Sequence, residues 1–201
     1  MRKLIVAVGI FCICATLASA QETPKAEVFG GYSYLRLKPA DQFIDGFNLN
    51  GWNASVAGNV NSWLGVVADF SGNYGTPRRF GVDTKIKTHS FLFGPRFSYR
   101  KNEKFTPFAH ALFGATDVRG RALGISDTQT GFATAIGGGL DVRANDRIAI
   151  RVFQADYLLT RLKGEEIACF FNALLPPCPA PQTETQHNVR LSFGVVLRFG
   201  K

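Results

Sequence analysis

The sequence predicts an all-β chain, an eight-stranded antiparallel up-and-down transmembrane β-barrel, and three observations lead there. From Asn188 to Phe199, Val189, Leu191, Phe193, Val195, Leu197 and Phe199 fall on one parity, and Asn188, Arg190, Ser192, Gly194, Val196 and Arg198 on the other. A repeat of two is the period of a strand, not a helix. Similar alternation recurs along the chain in stretches near the roughly 9 to 11 residues that a tilted strand needs to cross hydrocarbon. The connections alternate long and short, as in outer-membrane barrels with short periplasmic turns and long outer loops. Sixteen strands would use about 160 residues and leave too few for their connections, so eight fit.

The chain opens with Met1-Arg2-Lys3, an apolar run from Leu4 to Leu17, and Ala18-Ser19-Ala20. A charged start, a short apolar core and small residues at a cut form a secretory signal, too short to span as a helix. Cleavage is expected after Ala20, leaving residues 21–201 as one barrel domain. Cys12 and Cys14 leave with the leader as ordinary apolar-core residues. The leader also removes two of the 23 Lys and Arg and none of the 15 Asp and Glu, so the exported chain stays basic. In an exported protein that charge points to an anionic membrane surface or lipopolysaccharide rather than nucleic acid. Cys169 and Cys178 lie in a proline-rich segment of a chain bound for an oxidising compartment, and a local disulfide is expected between them.

The first strand is expected at Glu27 to Arg36, with Val28, Gly30, Tyr32 and Tyr34 outward and Glu27, Phe29, Gly31 and Ser33 inward. After a loop from Lys38 to Asn48, the second runs from about Leu49 to Gly58, with Trp52, Ala54 and Val56 outward. Asn59 to Ser62 reads as a tight turn by its Asn and Ser content. The third strand puts Leu64, Val66, Ala68 and Phe70 on one face, and Trp63, Gly65, Val67, Asp69 and Ser71 on the other. A basic loop, Asn73 to Asp83, precedes the fourth, Lys85 to Tyr99, whose Phe91, Phe93 and Phe97 alternate with Ser90, Gly94 and Arg96. A polar turn at Arg100 to Lys104 leads to the fifth, Thr106 to Thr116, which holds His110 inside. Asp117 to Gln129 reads as the next long loop, and the sixth strand as Thr130 to Val142. In the seventh, Ile148, Ile150 and Val152 face out, yet so do Tyr157 and Leu159; a β-bulge near Phe153 to Ala155 accounts for the change of parity. The longest loop, Leu162 to Gln186, leads to the last strand.

The GGYSYLR start, the GWNAS and NSWLGVVADFSGNYG hairpin, and the GGGLDVR and RIAIRVFQADYLLTR pair resemble the OmpA-like outer-membrane β-barrel domain family of Gram-negative bacteria. The resemblance covers nearly the whole exported chain and implies the outer membrane as its location. Ser192, Gly194, Leu197 and Phe199 resemble the family's C-terminal assembly signal, with Gly200 and Lys201 following where the aromatic usually ends the chain. This implies the barrel-assembly machinery as a partner. The family's functions range from structural anchor to adhesin.

The inward set holds Glu27, Asp69, Asp141 and Asp156 against Arg96, Arg151, Arg190 and Arg198. Unpaired charges in a narrow low-dielectric lumen are costly, so a mutually satisfied network that closes the interior is expected. Its alternative is a narrow ion-conducting pore. For catalysis, His89, His110 and His187 are the histidines to weigh, Asp141 or Asp156 being able to orient His110. Thr88-His89-Ser90 offers the residue types of barrel enzymes that modify lipid A, but neighbours on a strand point to opposite faces. Gly137-Gly138-Gly139 lies in a strand and lacks a P-loop lysine; small residues there relieve crowding. No catalytic, cofactor or metal site is expected. The outer-loop arginines Arg78, Arg79, Arg119 and Arg121 are candidates for binding lipopolysaccharide phosphates or an extracellular anionic ligand. The expected protein is a monomeric, non-enzymatic envelope barrel that displays its loops for surface interaction.

Overall fold

The computed structural model describes residues 23–38, 46–79, 82–122, 125–163 and 183–200. The leader and both Cys169 and Cys178 lie outside them. Eight antiparallel strands close into a barrel: β1 Ala26–Leu37, β2 Phe47–Asn59, β3 Leu64–Gly75, β4 Lys85–Ser98, β5 Phe105–Ala122, β6 Ile125–Arg143, β7 Ile148–Lys163 and β8 Thr183–Phe199. Each strand pairs with its neighbours in sequence, and β1 pairs with β8 from Ala26↔Phe199 to Arg36↔Val189 to seal the ring. Closure leaves no unpaired edge, which a sheet in lipid requires. A two-residue hairpin, Arg78–Arg79 against Val82–Asp83, sits between β3 and β4.

Three short turns share one device. The side-chain oxygens of Asn61, Asn102 and Asn145 each accept from the two backbone N–H groups that open the following strand, those of Trp63 and Leu64, Lys104 and Phe105, and Arg147 and Ile148, at 2.7 to 3.1 Å. An asparagine whose side chain imitates a backbone turn reverses the chain within a few residues. The start of β1 and the end of β8 meet these turns: Lys25 N–H donates to the Gly200 carbonyl and Asn59 N–H to the Lys25 carbonyl. This is the end that outer-membrane barrels turn to the periplasm.

The expected alternation holds through most strands, and three differences are informative. The segment from Asp117 to Gln129 is not a loop. β5 and β6 continue through it in register, from Asp117↔Thr130 to Ala122↔Ile125, with two residues between the strands. Beyond the bilayer both faces of a hairpin meet water, so the apolar half of the pattern that marks a membrane strand disappears while the pairing continues. Trp63 does not face inward. It lies in the turn before β3 and stacks outside on Phe97, ring centroids 5.9 Å apart and planes 12° from parallel. The bulge falls one residue before the expected segment: Asp141 pairs with Arg151 and Leu140 with Phe153, so Val152 is the extra residue and Val152 and Phe153 both face out.

The outer face carries a band of Val, Leu, Ile and Phe, with Tyr32, Trp52, Tyr74 and Tyr157 toward the long-loop end. Inside, Leu35, Leu37, Leu49, Val67, Leu92, Leu112 and Leu158 meet in an apolar cluster. The lumen is therefore filled by side chains, as an eight-stranded barrel permits.

Candidate functional site

Direct pairing lines up Arg190 of β8, Asp156 of β7, Gly137 of β6, His110 of β5 and Arg96 of β4 across the inner wall. The middle position has to be small. A Cβ on Gly137 would collide with the Ala155 carbonyl and with Asp156 Oδ1. Without one, His110 reaches past β6 and its Nε2 lies 2.8 Å from Asp156 Oδ1. The other Asp156 oxygen accepts from Arg190 Nε at 2.9 Å and Nη2 at 2.7 Å, and from Gln154 at 2.8 Å. Arg190 Nη1 donates to Asp69 at 2.8 Å and to Ser71 at 3.0 Å, and Asn53 donates to the second Asp69 oxygen at 2.9 Å. Below, Arg151 grips Asp141 in a two-bond fork at 2.8 and 3.0 Å and donates to Gln154 at 2.7 Å. One hydrogen-bonded chain thus joins Asp141 to Asn53 through Arg151, Gln154, Asp156, Arg190 and Asp69. Arg151 is also sandwiched between the Phe29 and Phe108 rings, 4.3 Å from each centroid. Cation–π contact of this kind gains strength where water is excluded.

A second cluster lies nearer the short turns. Glu27 pairs with Arg96 and stands 3.2 Å from Arg100 and 3.3 Å from Arg198. All eight charged residues expected inside are therefore inside. The Glu27 cluster, however, is not the satisfied network expected: Glu27 Oε1, Arg96 Nε and Arg198 Nε and Nη2 are buried without a hydrogen-bond partner. Three forked cations cannot all align with one carboxylate. Arg100, placed by its sequence in a polar turn, reaches back into the barrel. Its signal was parity: Arg96, Ser98 and Arg100 continue the inward series. Burial lowers its pKa from the ordinary arginine range, against the pull of Asp141.

The sequence matches the outer membrane protein beta-barrel domain family over residues 4–199. The chain belongs to that family. Among solved structures it is similar to Ail, the attachment invasion locus protein of Yersinia pestis, at 19% identity and TM-score 0.59, covering 88% of this chain and 99% of that one. Ail in complex with the heparin analogue sucrose octasulfate gives 20% identity and TM-score 0.57, with 87% and 97% covered. Neisserial surface protein A gives 11% identity and TM-score 0.61, with 87% and 97% covered. Identities this low establish a shared fold. No curated protein matches the chain. Family and neighbours together make this an outer-membrane barrel.

The other candidate residues of this family member divide between its two surfaces. His89 faces out and meets the Tyr74 hydroxyl at 3.1 Å, whereas Ser90 faces in and meets Thr116 at 2.9 Å. His187 also faces out, against Tyr157. Arg119 and Arg121 are strand residues, exposed on the outer face of β5, and the register sets Lys87 opposite Arg119 and Lys85 opposite Arg121. Sequence reasoning found the arginines but not the lysines, which belonged to the neighbouring strand. Arg78 and Arg79 form one arm of the small hairpin. On β8, Ser192 and Gly194 face in and Leu197 and Phe199 face out.

Proposed function

We propose that this protein is a non-enzymatic barrel that braces the outer membrane and presents a basic belt to anionic groups at the cell surface, the phosphates of lipopolysaccharide first. The observation that carries this reading is the belt itself: Lys85, Lys87, Arg119 and Arg121 form two directly opposed pairs of like charge on the outer wall. Like charges facing each other across strands are unfavourable unless an anion lies between them. The belt starts one step beyond His89, with Lys87 opposite Tyr74, so Lys87 and Arg119 stand level with the edge of the tyrosine and tryptophan band and Lys85 and Arg121 one step past it. Aromatic bands mark the interface of a membrane barrel, and phosphate-bearing headgroups lie at that height. Arginine pairs with a phosphate through two parallel hydrogen bonds. That a barrel of this fold, Ail, was crystallised with a heparin analogue supports the polyanion class.

The hydrogen-bonded chain from Asp141 to Asn53 and the apolar cluster that fill the lumen support a closed barrel rather than a pore, and the separation of His89 from Ser90 supports a role without catalysis. The outward Leu197 and Phe199 at the end of β8 are the residues we assign to recognition by the barrel-assembly machinery.

The test compares the wild type with a variant carrying Gln at Lys85, Lys87, Arg119 and Arg121, each folded and bound to immobilised lipopolysaccharide. We expect the variant to lose most binding and the wild type to weaken steeply with salt. Equal binding by both would overturn the belt. Alanine at His89, His110 or His187 should leave lipid A acylation unchanged; a change traced to one of them would establish the enzymatic alternative.

A further inference from the structure

The Glu27 cluster is charged in excess of what its own partners hold. Arg96, Arg100 and Arg198 converge on one carboxylate, and the neighbouring acid Asp141 is taken by Arg151 through two hydrogen bonds. The Arg96 and Arg198 side chains are 3% and 9% exposed, yet Arg96 Nε and Arg198 Nε and Nη2 have no hydrogen-bond acceptor. Arg198 Nε lies within ion-pair distance of Glu27 but is not aligned with it as a hydrogen bond. Native proteins rarely leave buried charged donors in this state. Arg198 also lines a cavity of about 480 Å³ at the short-turn rim, with Arg147, Pro24, Phe199, Gly200 and Asp146, the last paired with Arg143. Two cations, Arg147 and Arg198, thus line the cavity beside one acid, Asp146, together with the apolar Pro24 and Phe199.

We propose that this end of the lumen is an anion site, in which Arg198, with Arg96 and Arg100 behind it, takes an oxyanion of the phosphate class beside Glu27. Guanidinium forks match the oxygens of a phosphate, and a second acceptor would engage the donors that Glu27 cannot reach. The volume admits either free phosphate or the headgroup of a phospholipid whose glycerol end rests on Pro24 and Phe199. The site lies at the opposite end of the barrel from the basic belt and stands or falls independently of it.

The test is an NMR titration of arginine Nε–H signals in the full folded protein, in dodecyl maltoside micelles, which carry no phosphate. One arm adds inorganic phosphate at constant ionic strength; the other adds phosphatidylglycerol to the micelles. We expect the Arg96 and Arg198 signals to move and saturate. Saturation with inorganic phosphate assigns free phosphate, and saturation only with phosphatidylglycerol assigns the lipid headgroup. Arg198→Gln should weaken the response by at least about tenfold, the loss of one charge-assisted hydrogen bond, while Arg36→Gln at the far end leaves it intact. Arg100→Gln, outside the strands, serves if Arg198→Gln fails to give the faster-migrating unboiled band of a folded barrel. Unmoved signals in both arms of the wild type, or an unchanged response in the folded Arg198→Gln or Arg100→Gln protein, would overturn the site.

Discussion

Asp69, Asp141 and Asp156 share two guanidiniums and an imidazole, whereas Glu27 alone faces three guanidiniums. The same residue types on the same kind of wall give opposite outcomes. In the first region Arg190 stands directly opposite Asp156 and Arg151 opposite Asp141, Gly137 clears the path to His110, Arg190 reaches Asp69 across the lumen, and the carboxylate oxygens are met by aligned donors. In the second, cations arrive from β4, β8 and a turn, and two of them leave donors unmet. Buried ion pairs stabilise only when the remaining hydrogen-bonding atoms are satisfied. The upper network is thus built to hold the barrel together and the lower cluster to accept something further.

Removing the hub of the upper network should break this contrast most severely. Arg190→Met strands two buried carboxylates, and we expect a loss of about 3 to 5 kcal/mol in urea unfolding from micelles. Gly137→Ala keeps every charge but forces Asp156 away from its partners; overpacking of this kind should cost about 1 to 3 kcal/mol by the same measurement. Phe29→Leu removes one face of the Arg151 sandwich and should cost about 1 to 2 kcal/mol, the worth of a desolvated cation–π contact and its packing. Arg100→Gln should have the smallest effect. Glu27 keeps Arg96 and Arg198, and the remaining Arg100 bonds, to the Ser62 carbonyl and to Asn59, lie at the rim where water can replace them, so we expect about 1 kcal/mol, near the net value of an ordinary hydrogen bond. An Arg100→Gln loss as large as that of Arg190→Met would mean that the lower cluster is as tightly built as the upper one.

Legibility in the sequence followed the physics of the bilayer. Where one face of a strand meets lipid, as with Phe91, Phe93 and Phe97 on β4, period-two alternation revealed both the strand and its inward set. Where lipid ended, it did not: Arg119, Gly120 and Arg121 look like a loop because a hairpin in water needs no apolar face. The parity break in β7 was readable because a bulge reverses alternation, which located Val152 to within a residue. The lumen charges were named by parity, but their partners could not be. Glu27 and Arg96 are far apart in sequence and on strands that are not neighbours, so only the closed wall brings them together.

The sequence by itself determined that eight two-faced strands would form, which residues each would turn to lipid and which to the lumen. It did so because the pleat fixes side-chain direction two residues at a time and lipid rejects polar groups. Tertiary structure alone decided which acids meet which bases, that Arg100 enters the barrel, that Lys85 and Lys87 stand against Arg121 and Arg119, and that guanidinium donors remain unmet beside Glu27. Those outcomes depend on the register between strands and on closure across the lumen, which place residues from separate strands within a few ångströms of one another.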